Sequence, residues 1–147
     1  MHRGILLPRT GQASRLLAAG LALCSFLSVF GESTMVECQI LQAAVNNDLP
    51  VALFVAVAWH ESRFKADRVS SKGAVGPVQI LPVWFTRTPC KGLARNMPGA
   101  VECGARLLAM GRQLCGSWQS ALGWYNTGKC IENRYSRYVR SITNGDL

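Results

Sequence analysis

The chain has two histidines and eight acidic residues in 147 positions. His2 and His60 stand far apart and no Cys-x-x-Cys pair occurs, so the spacing of a metal site is missing and neither metal nor other cofactor is expected. Acids are so few that a site built on paired carboxylates has little to draw on; beside Glu61, only Asp67 is close in sequence. No repeat, low-complexity tract or linker breaks the chain, which at this length reads as one domain. The sixteen basic residues are scattered singly, without a basic-aromatic platform, which argues against nucleic acid as a partner. Net charge is nonetheless +8, which suits an anionic polymer or surface as well as it suits a plain solvated exterior.

What the sequence does contain starts with a leader. Arg3, Arg9 and Arg15 precede Leu16–Phe30, an uncharged stretch shorter than the ~20 residues of a membrane span, and this is the pattern of a secretory signal. Residues 1–31 are expected to be removed near Val29-Phe30-Gly31, leaving 32–147 as an exported domain with no stable membrane span, the alternative being that the segment persists as an anchor. Cys24 reads as an ordinary residue of the signal core. Export makes Cys38, Cys90, Cys103, Cys115 and Cys130 read as two disulfides and one free thiol. Cys103 and Cys115, on one expected helix about 18 Å apart, cannot bond each other. Connectivity is otherwise open, and Cys103 with Cys130 is the pairing favoured.

Apolar periodicity predicts helices over 37–46, from Val51 to the Glu61 region, from Met97 to about Leu114, over 118–126 and over about 132–142. Asn96 and Ser117 are their expected caps, Asp48 or Leu49 caps the Val51 helix with Pro50 in its first turn, and Gly128 ends the 118–126 helix. The Met97 helix carries Gly104, Ala105 and Gly111 among large residues, which permits close packing. Strands are scarcely supported. The fold class is mainly α, a compact disulfide-supported domain with at most a short hairpin between Lys65 and Gln79.

The Val51 helix is apolar almost all round until His60-Glu61-Ser62-Arg63. A carboxylate there faces the negative end of the helix dipole beside apolar surface, and both disfavour its ionised form. That is the setting of a general acid. Two more pieces follow: Gly73 to Pro82, a loop with two glycines and two prolines, and Ala121-Leu122-Gly123-Trp124-Tyr125-Asn126-Thr127-Gly128.

In order and spacing these three pieces resemble the soluble lytic transglycosylase family of lysozyme-like enzymes, over roughly Cys38 to Ile142. The resemblance implies a lysozyme-like fold and cleavage of the β-1,4 bond between N-acetylmuramic acid and N-acetylglucosamine in peptidoglycan glycan strands, with a 1,6-anhydro product. It makes Glu61 the acid and then the base. It has Ser62 bonding near the sugar or steadying Glu61, has Gln79 and the backbone around Val78, with Gly76, lining the cleft, and has Tyr125 and Asn126 closing it. Pro77-Val78 stand where the family often has Leu-Met, and Lys65-Ala66 where it often has Asn-Pro.

Stand-alone members resemble enzymes that open the wall for secretion, conjugation or pilus machines, so a periplasmic or cell-wall setting with such an assembly partner is expected; a phage or wall-recycling enzyme fits the residues equally. Two other readings stand beside this one: a lysozyme-type muramidase that hydrolyses the bond, and an inactive wall-binding assembly protein. Bland readings exist for single residues too. Gln79 and Asn126 can merely satisfy backbone groups, Tyr125 belongs to the core in any case, and His60 is a neighbour turned about 100° from Glu61. Trp59, Trp84, Trp118 and Trp124 read as packing, Trp84 being the one to test as a sugar platform.

Overall fold

The computed structural model of the chain describes residues 32–143; the expected leader with Cys24, and Asp146, lie outside the described residues. The elements run α1 Glu32–Asn46, α2 Val51–Ser62, a 3-10 turn Pro82–Thr86, α3 Met97–Cys115, α4 Trp118–Thr127 and α5 Arg134–Ile142. The class is mainly α, as expected, and the hairpin shrinks to two isolated bridges, Val69–Val75 and Val75–Ile80. No helix among the described residues is long and apolar enough to cross a membrane.

Helix α2 is the centre because its apolar residues cover most of its circumference: Leu53, Phe54, Ala56, Val57 and Ala58 are all buried. It packs against α1 on one side and α5 on the other, while α3 packs on α1 and α4. Val36 and Ile40 of α1, Val101 and Leu108 of α3, Leu122 of α4 and Val139 of α5 complete one core. Each fully buried large apolar side chain contributes about 1.5–3 kcal/mol. The small residues of α3 have the effect read from the sequence. A Cβ on Gly104 would fall 2.6 Å from Val78 Cγ2, and one on Gly111 would fall 2.8 Å from the Trp124 ring, so both glycines let neighbours lie directly on the helix.

Helix ends follow their side chains. Asn96 accepts from the Gly99 N–H and Ser117 from the Ser120 N–H, and Asn133 forms a capping box with Ser136, which starts α5 two residues later than the periodicity suggested. Helix α1 begins earlier than expected, at Glu32. The expected cap of α2 is a correction. Pro50 itself is the N-cap and no side chain caps it, because Asp48 is spent on the turn, where it takes a left-handed conformation with φ 54°.

The cysteine pairing is a second correction. Cys103 bonds Cys90 and Cys115 bonds Cys130. The loop after the 3-10 turn lays Cys90 against the first half of α3, and α4 with its Gly128 turn returns the chain to the end of α3, not to its middle. No cysteine among the described residues is free, Cys38 included, so the expected free thiol is absent there.

Candidate active site

Helix α2 ends without glycine or proline. Arg63 and Phe64 take left-handed conformations, φ 57° and 62°, each costing on the order of 1–3 kcal/mol for a residue with a side chain. Local contacts hold them there. The Arg63 guanidinium lies 4.5 Å from the Trp59 ring centroid and donates to the Trp59 carbonyl at 3.1 Å, while Phe64 packs on Trp59 at 5.5 Å. This strained exit fixes the last turn of α2, which carries Glu61.

The Glu61 carboxyl is half-buried, and burial pushes its pKa above the ordinary glutamate range. The Tyr135 hydroxyl and the charge of Arg68 pull the other way without cancelling that effect. Tyr135 lies on α5, its hydroxyl is buried, and the Glu61 carboxyl is the group with which it interacts, although not at ordinary hydrogen-bond geometry. Contacts of that kind in an empty site commonly tighten when substrate arrives. Burial also drives the Tyr135 and Tyr125 hydroxyls well above their usual pKa, and the nearby Glu61 charge adds to the shift in both. The result is one carboxyl facing two tyrosines that stay protonated.

Ser62, the next residue, turns inward. It is fully buried, donates to the Pro77 carbonyl at 2.7 Å and accepts from the Lys65 N–H at 3.1 Å. Its hydroxyl therefore ties the end of α2, and with it the turn that carries Glu61, to the glycine loop; of its two expected roles this is nearer to steadying Glu61 than to bonding a sugar. Ser62→Ala takes the donor from the Pro77 carbonyl and leaves the Lys65 N–H only its 3.4 Å bond to the residue 62 carbonyl, and is expected to destabilise the fold by roughly 1–3 kcal/mol, read as a lower midpoint in urea denaturation. The loop itself is held by Gly76 N–H to Arg68 carbonyl at 2.9 Å and by the paired backbone bonds of Val75 and Ile80. Gln79 sits left-handed at φ 55°, with its amide donating to the Gly76 and Arg68 carbonyls at 2.9 and 3.1 Å. Its bland role, satisfying backbone, is thus filled while the residue still borders the cleft.

From the other side, α4 brings Tyr125, whose hydroxyl donates to the Val78 carbonyl at 2.8 Å across 47 positions of sequence. Gln79, Tyr125 and Asn126 then line one cleft of about 320 Å³ with Ile80, Leu81, Trp84 and Trp124. Trp84 and Trp124 lie 6.3 Å apart between ring centroids, and both line it. A second hollow of about 400 Å³, lined by His60, Asn126, Arg134, Tyr135 and Tyr138, shares Asn126 with the first. The family model described as the transglycosylase SLT domain matches residues 39–144. The chain belongs to that family.

As an SLT domain it is a peptidoglycan-acting protein of the lytic transglycosylase type. No curated protein matches it in sequence. Within this SLT domain Gln79, Tyr125 and Asn126 meet at the cleft, and the Glu61 charge is felt at Tyr125. Two other expected lining positions, Val78 and Gly76, belong to the same loop. The Val78 side chain is fully buried against Gly104, leaving only its carbonyl, held by Tyr125, toward the site. Gly76 is buried against Ala100 and borders a separate hollow of about 370 Å³ with Asp67, Arg68 and Arg95. The loop is held there by the Ser62 hydroxyl on the Pro77 carbonyl and by the Gly76 N–H on the Arg68 carbonyl.

Sequence reading passed over Tyr135 and Arg68. Tyr135 was legible only as a core position of the last helix, although a buried tyrosine needs a polar partner for its hydroxyl and that need was a signal. Nothing in the sequence names Glu61 as the partner, because 74 positions separate them and only the packing of α2 on α5 brings them together.

Proposed function

We propose that this SLT domain cleaves the β-1,4 bond between N-acetylmuramic acid and N-acetylglucosamine with Glu61 as both acid and base, leaving a 1,6-anhydromuramyl end. The observation that carries the reading is the half-buried Glu61 carboxyl, with its raised pKa, at the end of the central helix and facing Tyr135 and Tyr125. A carboxyl that keeps its proton can give it to the glycosidic oxygen as the C1–O4 bond breaks. The carboxylate left behind then takes the proton of the muramyl 6-hydroxyl as that oxygen bonds to C1. The N-acetylglucosamine leaves with the proton and the electron pair of the broken C1–O4 bond, the muramyl 6-oxygen supplies the pair for the new bond to C1, and Glu61 regains a proton; neither a second carboxylate nor a water nucleophile enters. Asp67, the only acid close to Glu61 in sequence, is exposed and lines the separate hollow behind the loop, which favours this single-acid course over one that needs a carboxylate pair.

The test is mass spectrometry of digested peptidoglycan. Anhydro ends support the reading, reducing ends replace it with a hydrolase, and an intact polymer replaces it with a wall-binding protein that has lost turnover. The secretory-signal pattern of Arg3 to Phe30 supports a setting outside the cytoplasm, in the periplasm or wall, with a secretion, conjugation or pilus assembly as the partner.

Glu61 must be protonated to act first as an acid, so kcat/KM is expected to fall as pH rises through its pKa. Because burial raises that pKa, the fall begins above the ordinary glutamate range. A rate profile that is already falling below that range would contradict the assignment.

A further inference from the structure

Behind the glycine loop lies a hollow of about 370 Å³ that the cleavage chemistry leaves unused. Val69 and Val75 around that loop, Pro82 and Phe85 of the 3-10 turn, and Met97 and Ala100 of α3 form its apolar walls. Its volume is that of a site for a small molecule. Two arginines border it: Arg68 from the chain just before the loop, and Arg95 from the position before the α3 cap, its guanidinium 6.0 Å from the Phe85 ring centroid. Asp67 borders it too, but the ion pair found among the described residues is Arg106 with Glu102, so neither arginine is paired with that carboxylate. Two guanidiniums against one carboxylate leave the hollow net positive, and the positive end of α3 at Asn96 and Met97 adds to this.

The walls decide which kind of anion fits. Val75 stands between its two bridge partners, Val69 and Ile80, with its N–H and carbonyl both bonded to Ile80, while the Gly76 N–H is taken by the Arg68 carbonyl. The edge that remains is one residue long, too little to pair with an extended peptide. A compact apolar group carrying one carboxylate suits the rest, with carbon against the walls and oxygens on the guanidiniums.

Arg68 also belongs to the catalytic side. Its carbonyl accepts from the Gly76 N–H at 2.9 Å and from the Gln79 amide at 3.1 Å, and Gln79 lines the glycan cleft. Its charge is felt at Glu61. The other groups about that carboxyl are Tyr125 of α4, Tyr135 of α5, and His60 and Arg63 on its own helix, while Glu37 of α1 is exposed. The tyrosines stay protonated, burial and Arg63 hold His60 below its ordinary pKa, and Arg63 itself lies on Trp59. Arg68 is therefore the charge that a ligand behind the loop offsets.

We propose that this hollow is a regulatory site for a small apolar carboxylic acid, bound through Arg68 and Arg95, whose occupancy extends glycan cleavage to higher pH. The regulatory half rests on the peptidoglycan-cleaving reading above; the binding half does not. The bound carboxylate offsets the Arg68 charge that favours ionised Glu61, so Glu61 keeps its proton to higher pH and the fall of kcat/KM moves with it. Linkage makes the effect reciprocal: the acid binds more tightly while Glu61 is protonated.

Phenylacetate is the probe, phenylacetamide is its uncharged counterpart, and binding to the full chain is followed by NMR. Saturable binding is expected, with amide shifts gathered at Val69, Val75 and Met97. It should weaken about tenfold for phenylacetamide, and likewise for Arg68→Gln or Arg95→Gln, the loss of one charge-assisted hydrogen bond. In the saturated protein the Glu61 carboxyl should titrate at higher pH and kcat/KM should fall later. Without the probe, Arg95→Gln should keep the wild-type pH profile, while Arg68→Gln should already show the later fall and no longer respond.

Equal binding of phenylacetamide, shifts gathered at Trp84 and Tyr125, binding that does not saturate, or a Glu61 titration indifferent to saturation overturns the proposal. Failure of the parent reading looks different, since no glycan is then cut with or without the probe. The binding measurements and the Glu61 titration still decide the site in that case.

Discussion

Glu61→Gln is expected to lower the rate of glycan cleavage by about 10²–10⁴-fold while the chain stays folded, because a general acid is replaced by a group of the same shape that has no proton to give. The same substitution is expected to stabilise the protein at neutral pH. Burial raises the folded pKa of Glu61 above its unfolded value, so between the two values the folded state binds the extra proton, and stability falls as pH rises through that window. Above the window the carboxylate is ionised in a half-buried site, a penalty that glutamine does not carry. Thermal denaturation should therefore show the variant melting higher than wild type at neutral pH, with the gap closing as pH falls below the ordinary glutamate range. A variant that keeps its rate removes Glu61 from the chemistry; one that melts lower at neutral pH contradicts the raised pKa.

Gly123→Ala is expected to have the largest effect on folding among single-methyl changes in the site region. A Cβ at Gly123 would stand 1.6 Å from the carbonyl oxygen of Ile131 and 2.8 Å from its carbon, and both atoms are backbone, so no rotamer change relieves the clash. Either α4 or the segment leading into α5 must move. Added volume in a packed site costs about 1–3 kcal/mol, and a clash with backbone falls at the upper end of that range or beyond it. The consequence reaches the chemistry, because α4 carries Tyr125 and Asn126, and the segment around Ile131 leads to Tyr135. The variant should unfold at markedly lower urea and lose activity even where it is folded. Full activity together with unchanged stability would mean that α4 and the Ile131 segment are not in this close contact.

Much of this was legible in the sequence, for a physical reason. Asn96, Ser117 and Gly128 act through bonds to residues three or four positions away, and so do the apolar periods of α3 and α4; such features survive in a linear reading. Glu61 was legible because its environment is made by its own helix. What sequence did not yield depends on contacts between distant segments. Ser62 looks like a neighbour of the acid, yet its hydroxyl goes to Pro77, and whether it faces sugar or loop is decided by how the loop folds back. Cys103 had several partners of suitable separation, and the path of the loop after the 3-10 turn selects Cys90. Tyr135 is placed on Glu61 by the packing of α5 on α2, and no period in either helix encodes that.

The proton on Glu61 is the feature on which everything here turns, and its own titration reads it most directly. Carbon NMR of glutamate-labelled protein, with Glu61→Gln to identify the resonance, should show this carboxyl titrating above the ordinary glutamate range. A carboxyl that titrates at or below that range is a solvated carboxylate at a helix end, with no proton to deliver to a sugar.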